Sequence, residues 1–230
     1  MINKVYQEDC MTLMSKYPSK YFDLGIVDPP FFSGPNKRRF YGKEVNNLNI
    51  RRTDYDVIPE WEIPDQKYYD ELCRVTKNQI IFGINYFDFK NVPAGRIIWD
   101  KCNDSSDFSD AEIASCSMIN SVRIFRYMWN GMQQGKSALE GHIMQGNKAL
   151  NEKRIHPCHK PIALYQWILS KYAKPGDKIL DTHVSGGSIR IACHEYGFDF
   201  TGAEINPIIW EKQERRFQPY LKKLKFDFHD

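Results

Sequence analysis

Short apolar runs and amphipathic segments alternate along this 230-residue chain. Apolar runs of strand length lie at residues 3–9, 21–27, 79–84, 96–100, 178–180 and 200–203. Two more strands, antiparallel or at a sheet edge, are predicted at residues 111–118 and 122–129. Helices are predicted over residues 11–17, 66–75 and 207–224, with one that opens at residues 160–161 and one that ends near residue 194. This alternation predicts an α/β fold with a mostly parallel sheet, helices on both faces and an antiparallel hairpin at one edge.

Local signals mark the starts of two helices and the positions of two irregular segments. Asp65 precedes residues 66–75 as an N-cap, with Tyr69 and Leu72 on the inner face. Pro161 lies near the first turn of its helix, where a missing N–H is tolerated. Residues 33–64 and 131–155 are polar and basic without clean periodicity. We therefore predict a single domain of residues 1–230 with a mobile loop at 33–64 and a small basic insertion at 131–155.

Composition restricts the class of protein. The chain is 42% hydrophobic and 27% charged, which is ordinary for a soluble globular domain. Its apolar runs are shorter than the roughly 18 residues that a membrane-spanning helix needs, and residues 1–9 lack the apolar core of a secretory signal. The six cysteines form no CxxC pair, which fits reduced thiols and predicts a cytoplasmic protein.

Positive charge is concentrated in one window. The net charge is +3, yet residues 121–160 hold seven bases against two acids, so this window is +5 and the rest of the chain is −2. The seven bases are Arg123, Arg126, Lys136, Lys148, Lys153, Arg154 and Lys160. Such a block is commonly a solvated surface, and here it also suits a face that contacts phosphates.

The stretch around Asp28 carries the first candidate chemistry. Two consecutive prolines, Pro29 and Pro30, end the strand at residues 21–27, because neither can donate a ladder hydrogen bond. The Asp28 carboxylate, the Pro29 carbonyl and the ring of Phe31 are therefore presented just past the carboxyl end of a strand. Ligands of open α/β sheets bind at that edge. A proline-stiffened turn without a ligand is the alternative interpretation.

A second candidate lies at residues 178–188, which predict a strand, a turn of small residues and a helix. Glu204 ends the following strand, 23 residues beyond Asp181. In such a unit the backbone N–H groups at a helix start hold an anionic group, and the later carboxylate accepts bonds from ribose hydroxyls. The unit suits a nicotinamide, a flavin or S-adenosylmethionine, and the GxGxxG pattern of dinucleotide sites is not present.

Three motifs together resemble one enzyme family. Asp28-Pro29-Pro30-Phe31 resembles the Asp-Pro-Pro-Tyr signature of amino-group DNA methyltransferases, and residues 181–188 are similar to their cofactor motif, Asp-Pro-Phe-x-Gly-Ser-Gly-Thr. Residues 156–161 resemble the His-Pro-Thr-Gln-Lys-Pro element of the same family. The order of the motifs resembles the permuted β-class, and the compact chain resembles a solitary methylase of phage or prophage type. The likeness covers most of the chain and is weakest at 33–64 and 131–155.

The resemblance implies a Rossmann-like class I methyltransferase fold and S-adenosylmethionine as cofactor. It implies catalytic roles for Asp28, Pro29, Pro30 and Phe31. It implies cofactor contacts from Asp9, Cys10, His156, Lys160, Asp181, His183, Ser185, Gly186, Gly187, Ser188 and Glu204. The basic candidates for DNA contact are Lys37, Arg38, Arg39, Arg123, Arg126, Lys136, Lys148, Lys153 and Arg154. Ser185 replaces a glycine of the family motif, so we expect it to resist a positive φ and Gly186 to take over that position.

In the implied reaction, the N6 amine of a flipped-out adenine donates hydrogen bonds to Asp28 and to the Pro29 carbonyl, and Phe31 stacks on the base. Within the family, Asp at position 28 favours adenine over the N4 amine of cytosine. An RNA or protein amino methyltransferase, a degenerate DNA-binding remnant and a nicotinamide oxidoreductase are further alternatives. No second ligand pair accompanies His156, Cys158 and His159, so we expect no metal. The recognition sequence, a homodimer and a partner restriction nuclease stay open.

Overall fold

The computed structural model describes residues 2–32, 61–103, 109–130, 133–156 and 158–222. Most of the predicted loop at 33–64, including Lys37, Arg38 and Arg39, lies outside these residues. Ten strands lie within them: β1 (Asn3–Tyr6), β2 (Phe22–Val27), β3 (Thr76–Phe82), β4 (Arg96–Asp100), β5 (Ala111–Cys116), β6 (Val122–Arg126), β7 (Trp129–Asn130), β8 (Gln133–Gln134), β9 (Lys178–Asp181) and β10 (Asp199–Ala203). Five α-helices accompany them: α1 (Cys10–Ser15), α2 (Gln66–Val75), α3 (Ile162–Tyr172), α4 (Ser188–Glu195) and α5 (Pro207–Phe217).

Eight of the strands form one sheet in the order β1-β10-β9-β2-β3-β5-β4-β6. Strand β5 is antiparallel to both of its neighbours, β3 and β4. The other pairs are parallel, including β4 with β6, so β6 is an edge strand as predicted but a parallel one. The predicted α/β fold with a mostly parallel sheet and an antiparallel hairpin is confirmed. The short strands β7 and β8 form a separate antiparallel hairpin that leads into residues 135–155.

Two hydrophobic cores cover the two faces of the sheet. Successive strand residues alternate between them: Ile80 and Ile179 pack on one face, and Ile81 and Leu180 pack on the other. Helices α3 and α4 cover the first face, whereas α1 and α2 cover the second. The central strands β2, β3, β9 and β10 are buried over most of their length, which explains why their sequences are nearly continuous apolar runs.

The local signals in the sequence account for several helix ends. Asp65 caps α2 as predicted, since its Oδ1 accepts hydrogen bonds from the backbone N–H groups of Lys67 at 3.0 Å and Tyr68 at 3.3 Å. Helix α5 ends at Phe217 and continues only as a 3₁₀ turn over Gln218–Lys222, so the prediction of a helix to residue 224 is wrong. Pro219 explains the change, because its ring clashes with an α-helical backbone and it has no N–H to donate.

Strand β3 also differs from its prediction. It starts at Thr76, directly after α2, whereas the apolar run suggested a start at residue 79. The polar residues Lys77 and Asn78 hid this beginning, because they lie near the amino edge of the sheet. The strand stops at Phe82 because Gly83 adopts a φ of 69° and opens a 3₁₀ turn over Ile84–Tyr86. Across the described ranges, none of the helices combines the length and the apolar character that a membrane crossing requires.

Candidate active site

The carboxyl ends of β2 and β9 form the centre of the candidate site. These two strands are parallel neighbours, with Gly25 of β2 opposite Leu180 of β9. Asp28 follows the end of β2, and Asp181 is the last residue of β9. The chain leaves β2 toward β3 on one side and leaves β9 toward β10 on the other. A crevice opens at such a reversal of strand order, and in open α/β sheets it is where ligands bind.

Lys160 joins the Asp28 stretch to the turn after β9. Its ammonium donates a hydrogen bond to Asp28 Oδ2 and lies 2.8 Å from Glu112 Oε2. Its backbone carbonyl accepts a hydrogen bond of 2.6 Å from the Ser188 hydroxyl at the start of α4. The sequence motif predicted a cofactor contact for Lys160, and in the structure its side chain contacts the carboxylate of Asp28. One residue thus fixes both predicted motifs in a common crevice.

Asp28 keeps one carboxylate oxygen available. Its side chain is 17% exposed, and Oδ1 has no hydrogen-bond partner among the residues that the structure describes. Burial raises the pKa of Asp28 against the opposing charge of Lys160, and the nearby Glu112 carboxylate adds to the rise. A buried acceptor without a partner is costly, so Oδ1 is suited to accept a hydrogen bond from a ligand.

The aromatic residues next to Asp28 form a row. Phe31 stacks on Tyr86 with ring centroids 4.6 Å apart and an interplanar angle of 7°. Phe31 also packs on Gly83, where a Cβ atom would lie 2.5 Å from its ring, so glycine is required at that position. Phe32 lies beside Phe31 at 5.3 Å and beside Trp61 at 5.6 Å. Tyr86 is 57% exposed, which leaves an aromatic face at the mouth of the crevice.

The turn after β9 has two residues with positive φ, Ser185 at 49° and Gly187 at 75°. Ser185 therefore adopts the strained conformation that we expected it to resist. Its backbone N–H donates a 3.0 Å hydrogen bond to Glu204 Oε2, which helps to hold it there. Gly186 does not take over the positive φ; a Cβ at this position would lie 2.7 Å from the His159 ring, so close approach explains this glycine.

Two buried carboxylates line the same edge. Asp181 Oδ1 accepts a 2.9 Å hydrogen bond from the His183 backbone N–H, and Glu204 Oε1 accepts one of 2.9 Å from the Asn206 N–H. Burial raises the pKa of Asp181 to about 8 and that of Glu204 to about 7. Both groups are held near the point of ionisation at neutral pH, and a cationic ligand would favour their charged forms.

The remaining predicted contacts surround these carboxylates. Asp9 caps α1 through a 2.9 Å hydrogen bond from the Thr12 N–H, and burial raises the pKa of the adjacent Cys10 thiol to about 12. His156 is buried, and its pKa falls to about 3 because burial disfavours the imidazolium. Its Nε2 atom is without a hydrogen-bond partner in the described parts of the chain. His156 is thus a neutral ring with one polar atom available to a ligand.

The side chains at the carboxyl ends of β2, β9 and β10 suit a cationic cofactor by their chemistry. Three acidic side chains, Asp28, Asp181 and Glu204, lie at this edge of the sheet. Asp28 Oδ1 and His156 Nε2 have no hydrogen-bond partner among the described residues. Ser185, Gly186 and Gly187 form the small-residue turn beside them. In the described ranges, no group of three or more His, Cys, Asp or Glu side chains is arranged to hold a metal ion.

Glu152 links the segment that precedes the His156 element, which is the sequence motif at residues 156–161, to the turn after β9. It accepts a hydrogen bond of 3.0 Å from the Ile162 N–H and contacts His159 Nε2 at 3.0 Å. Its Oε1 atom also pairs with the guanidinium of Arg216, which in turn donates to the carbonyl of Gly186. Neither Glu152 nor Arg216 belongs to a recognisable motif, so their place near the crevice could not be predicted from the sequence.

The predicted DNA contacts divide into exposed and paired residues. Lys148 and Lys153 are exposed, and Arg123 lies on the edge strand β6. Arg126 pairs with Asp100 at 3.1 Å, Lys136 pairs with Glu140 at 2.8 Å, and Arg154 stacks over Trp129 at 4.3 Å. Lys160 contributes to the positive window of the sequence but is buried, so the surface of this window is less basic than the sequence suggested.

Comparisons with known proteins agree with this geometry. A family model described as DNA methylase matches residues 117–214. The Type II methyltransferase M2.MboI of Moraxella bovis is 23% identical over 97% of this chain and 90% of that protein. Both matches are to DNA methylases or methyltransferases. The matched residues 117–214 contain the His156 element and the turn after β9, and they do not reach Asp28.

Solved structures confirm the predicted class I methyltransferase fold. The crystal structure of the M1.HpyAVI-SAM complex superposes with a TM-score of 0.53 at 19% identity and covers 94% of this chain and 98% of that one. The PvuII DNA methyltransferase, which is cytosine-N4-specific, gives a TM-score of 0.55 at 12% identity over 94% of this chain and 86% of that one. At these identities the likeness establishes the arrangement of strands and helices.

Proposed function

We propose that this protein transfers a methyl group from S-adenosylmethionine to the N6 amine of an adenine that has been flipped out of DNA. The observation that carries the proposal is the position of Asp28 Oδ1. This buried acceptor has no partner in the described residues, and Lys160 holds its carboxylate beside the turn that follows β9. An amine acceptor and a cofactor turn on neighbouring strands are what amine methylation requires.

The cofactor would be held by the carboxylates and small residues of the crevice. Asp181 is suited to the methionine end of the cofactor and Glu204 to its ribose hydroxyls. The turn at Ser185–Gly187 lets the protein backbone approach the cofactor closely. When bound, S-adenosylmethionine supplies an electrophilic methyl group on a sulfonium ion. The role of the protein is therefore to align an amine with that methyl group, because displacement depends more on alignment than on a strong base.

Asp28 and Pro29 position the amine. Asp28 Oδ1 and the Pro29 carbonyl would accept hydrogen bonds from the two N–H groups of the amine. This turns the nitrogen lone pair out of conjugation with the base and toward the methyl group. The two prolines fix the backbone that carries these acceptors, so little reorganisation is needed when the base arrives. Phe31, backed by Tyr86, offers an aromatic face on which a flipped base can stack.

The target base is tested directly by analysis of the product. DNA methylated by the purified protein is digested to nucleosides and analysed by mass spectrometry, and we expect N6-methyl-2′-deoxyadenosine as the modified nucleoside. The likeness to the PvuII enzyme makes cytosine N4 the second candidate, since that amine needs the same pair of acceptors. Methylation of cytosine N4 alone would contradict adenine specificity, but it would be consistent with the proposed roles of Asp28 and Pro29. A protein that binds DNA but neither binds S-adenosylmethionine nor modifies a nucleoside would be the degenerate DNA-binding remnant.

The exposed lysines before the His156 element are expected to contact DNA phosphates. Replacing Lys148 and Lys153 by Gln should weaken DNA binding and reduce the slope of log affinity against log salt by about 2, because each phosphate contact contributes roughly 0.9. A fluorescence anisotropy titration at several salt concentrations measures this slope. Lys171 and Lys174, at the far end of α3, are the matched control, and their replacement should leave the slope unchanged. An unchanged slope in the first variant would remove this segment from the interface.

A further inference from the structure

Four charged side chains of alternating sign lie in a row beneath the candidate active site. Asp28 Oδ2 accepts from the ammonium of Lys160, Lys160 lies 2.8 Å from Glu112 Oε2, and Glu112 Oε1 lies 2.7 Å from the ammonium of Lys101. They come from four separate places in the chain: the end of β2, the start of α3, strand β5 and the end of β4. Glu112 and Lys101 have no role in the mechanism described so far.

This row is largely removed from water. The side chain of Lys160 is 5% exposed, and those of Glu112 and Lys101 are 21% and 17% exposed. The ring of Phe82 lies under the Lys160 ammonium at 4.9 Å. Removing charges from water is costly unless they are paired, and a hydrophobic replacement is often at least as stable. A fold that keeps four charges here, at the edge where the target amine would bind, suggests a use in the reaction.

We propose that Glu112 is a positioning residue that acts through Lys160, so that Asp28 Oδ1 stays free for the target amine and Asp28 takes the proton that the amine releases. This inference rests on the proposed function. The carbon–nitrogen bond would form as the carbon–sulfur bond of the sulfonium breaks and leaves its electron pair on sulfur, which becomes a neutral thioether. The methylated nitrogen would then be a cation. One N–H bond breaks, its electron pair returns to nitrogen, and an O–H bond forms at Asp28 Oδ1. The proton then leaves Asp28 for water when the product departs.

The arrangement makes the two carboxylates unequal. Glu112 lies within 2.8 Å of two ammonium groups, Lys160 and Lys101, although its Oε2 faces Lys160 without hydrogen-bond geometry. Asp28 pairs with Lys160 alone within the described residues, and its Oδ1 has no hydrogen-bond partner there. Although burial acts in the opposite direction, these two ammonium groups lower the pKa of Glu112 to about 2, and the pKa of Asp28 is raised. Neighbouring groups whose pKa values are pushed apart in this way reveal which of them exchanges the proton.

The other groups that face Asp28 do not replace Glu112. Burial raises the pKa values of the two phenols and the thiol near it, so they stay neutral and offer no charge; they are Tyr68, Tyr165 and Cys158. Asp181 is a further carboxyl across the crevice, and its pKa of about 8 leaves it partly protonated at neutral pH. Glu112 is therefore the fixed negative charge beside the Asp28–Lys160 pair.

The test compares two variants whose effects have opposite sign. Glu112→Gln leaves Lys160 to Asp28 alone, so the pKa of Asp28 should fall and the acidic limb of the single-turnover rate profile should move to lower pH. Lys101→Gln removes a positive charge and lets Glu112 draw Lys160 away, so the limb should move to higher pH. Rates of methyl transfer are measured between about pH 5 and 9, and we expect the maximum rate of Glu112→Gln to fall about 10-fold or more.

The control is Asp23→Asn. Asp23 lies near the start of β2, at the end of that strand opposite to Asp28, and pairs with Lys77 at 2.6 Å. This variant should keep both the pH profile and the rate. Loss of rate in both test variants with an unshifted acidic limb would show that the row is only structural and would overturn the inference. If Glu112→Gln does not fold, the acidic limb of Lys101→Gln still tests the inference, because it should move to higher pH. A wild-type protein that modifies no DNA would instead overturn the proposed function itself.

Discussion

Asp28→Ala is expected to lower the single-turnover rate of methyl transfer by about three orders of magnitude or more, with the affinity for S-adenosylmethionine within a few-fold of wild type. The change removes the acceptor of the target amine and leaves the carboxylates of Asp181 and Glu204 intact. Lys160 keeps its contact with Glu112 at 2.8 Å, so its buried ammonium retains a partner and the fold should survive. Single-turnover kinetics and calorimetry measure the two quantities.

Asp28→Asn is the matched variant, because it keeps the size of the side chain and loses the charge. It should also be slow, since a neutral amide cannot take the proton from the methylated amine. Wild-type melting temperature and cofactor binding in both variants would place the defect in the chemistry. Loss of cofactor binding together with the rate would mean that Asp28 supports the structure of the crevice.

Asp181→Asn is expected to weaken S-adenosylmethionine binding by about 10-fold or more, because it removes a buried carboxylate from the edge that would hold a cationic ligand. In the wild type, the pKa values of Asp181 and Glu204 are raised to about 8 and about 7. Binding a cation favours their ionised forms, so wild-type affinity should rise between about pH 6 and pH 8. Calorimetry across this range measures the trend, and a flatter trend is expected for the variant.

The same substitution should change stability in a definite direction. The folded-state pKa of Asp181 lies above its ordinary value of 3.8, so the folded protein binds more protons than the unfolded chain at intermediate pH. Stability of the unliganded wild type is therefore lost as pH rises from about 4 to 8. Asp181→Asn should melt at a higher temperature than wild type at pH 8 without ligand. A lower melting temperature would contradict the buried, proton-retaining state of Asp181.

The sequence predicted those parts of the fold that depend on local pattern. The apolar run at 96–100 and the cap at Asp65 correspond to the observed β4 and α2. Positions that depend on strand direction were not predicted. Glu112 lies near the start of β5, and only because β5 is antiparallel does that start reach the edge where Asp28 lies. An acidic residue in the first positions of an antiparallel strand is the signal that could have found it.

Long-range contacts account for the rest of the site. Serine is unfavourable at a positive φ, so the conformation of Ser185 was not expected from its sequence neighbours. Its backbone N–H donates a hydrogen bond to the carboxylate of Glu204, which follows another strand, β10. Likewise, the motif around Lys160 predicted proximity to the crevice but not the contact between its ammonium and Asp28. Propensities and motifs describe neighbours in sequence, whereas these contacts join residues that only the sheet brings together.

A crystal structure of the protein with sinefungin, an S-adenosylmethionine analogue that carries an amine in place of the methyl sulfonium, tests the central claim most directly. The claim is that the crevice between β2 and β9 holds the methyl donor next to Asp28. We predict that the analogue occupies this crevice with its amine within about 6 Å of Asp28 Oδ1, which leaves room for a target nitrogen between them. An analogue bound elsewhere, or one whose amine points away from Asp28, would contradict the account.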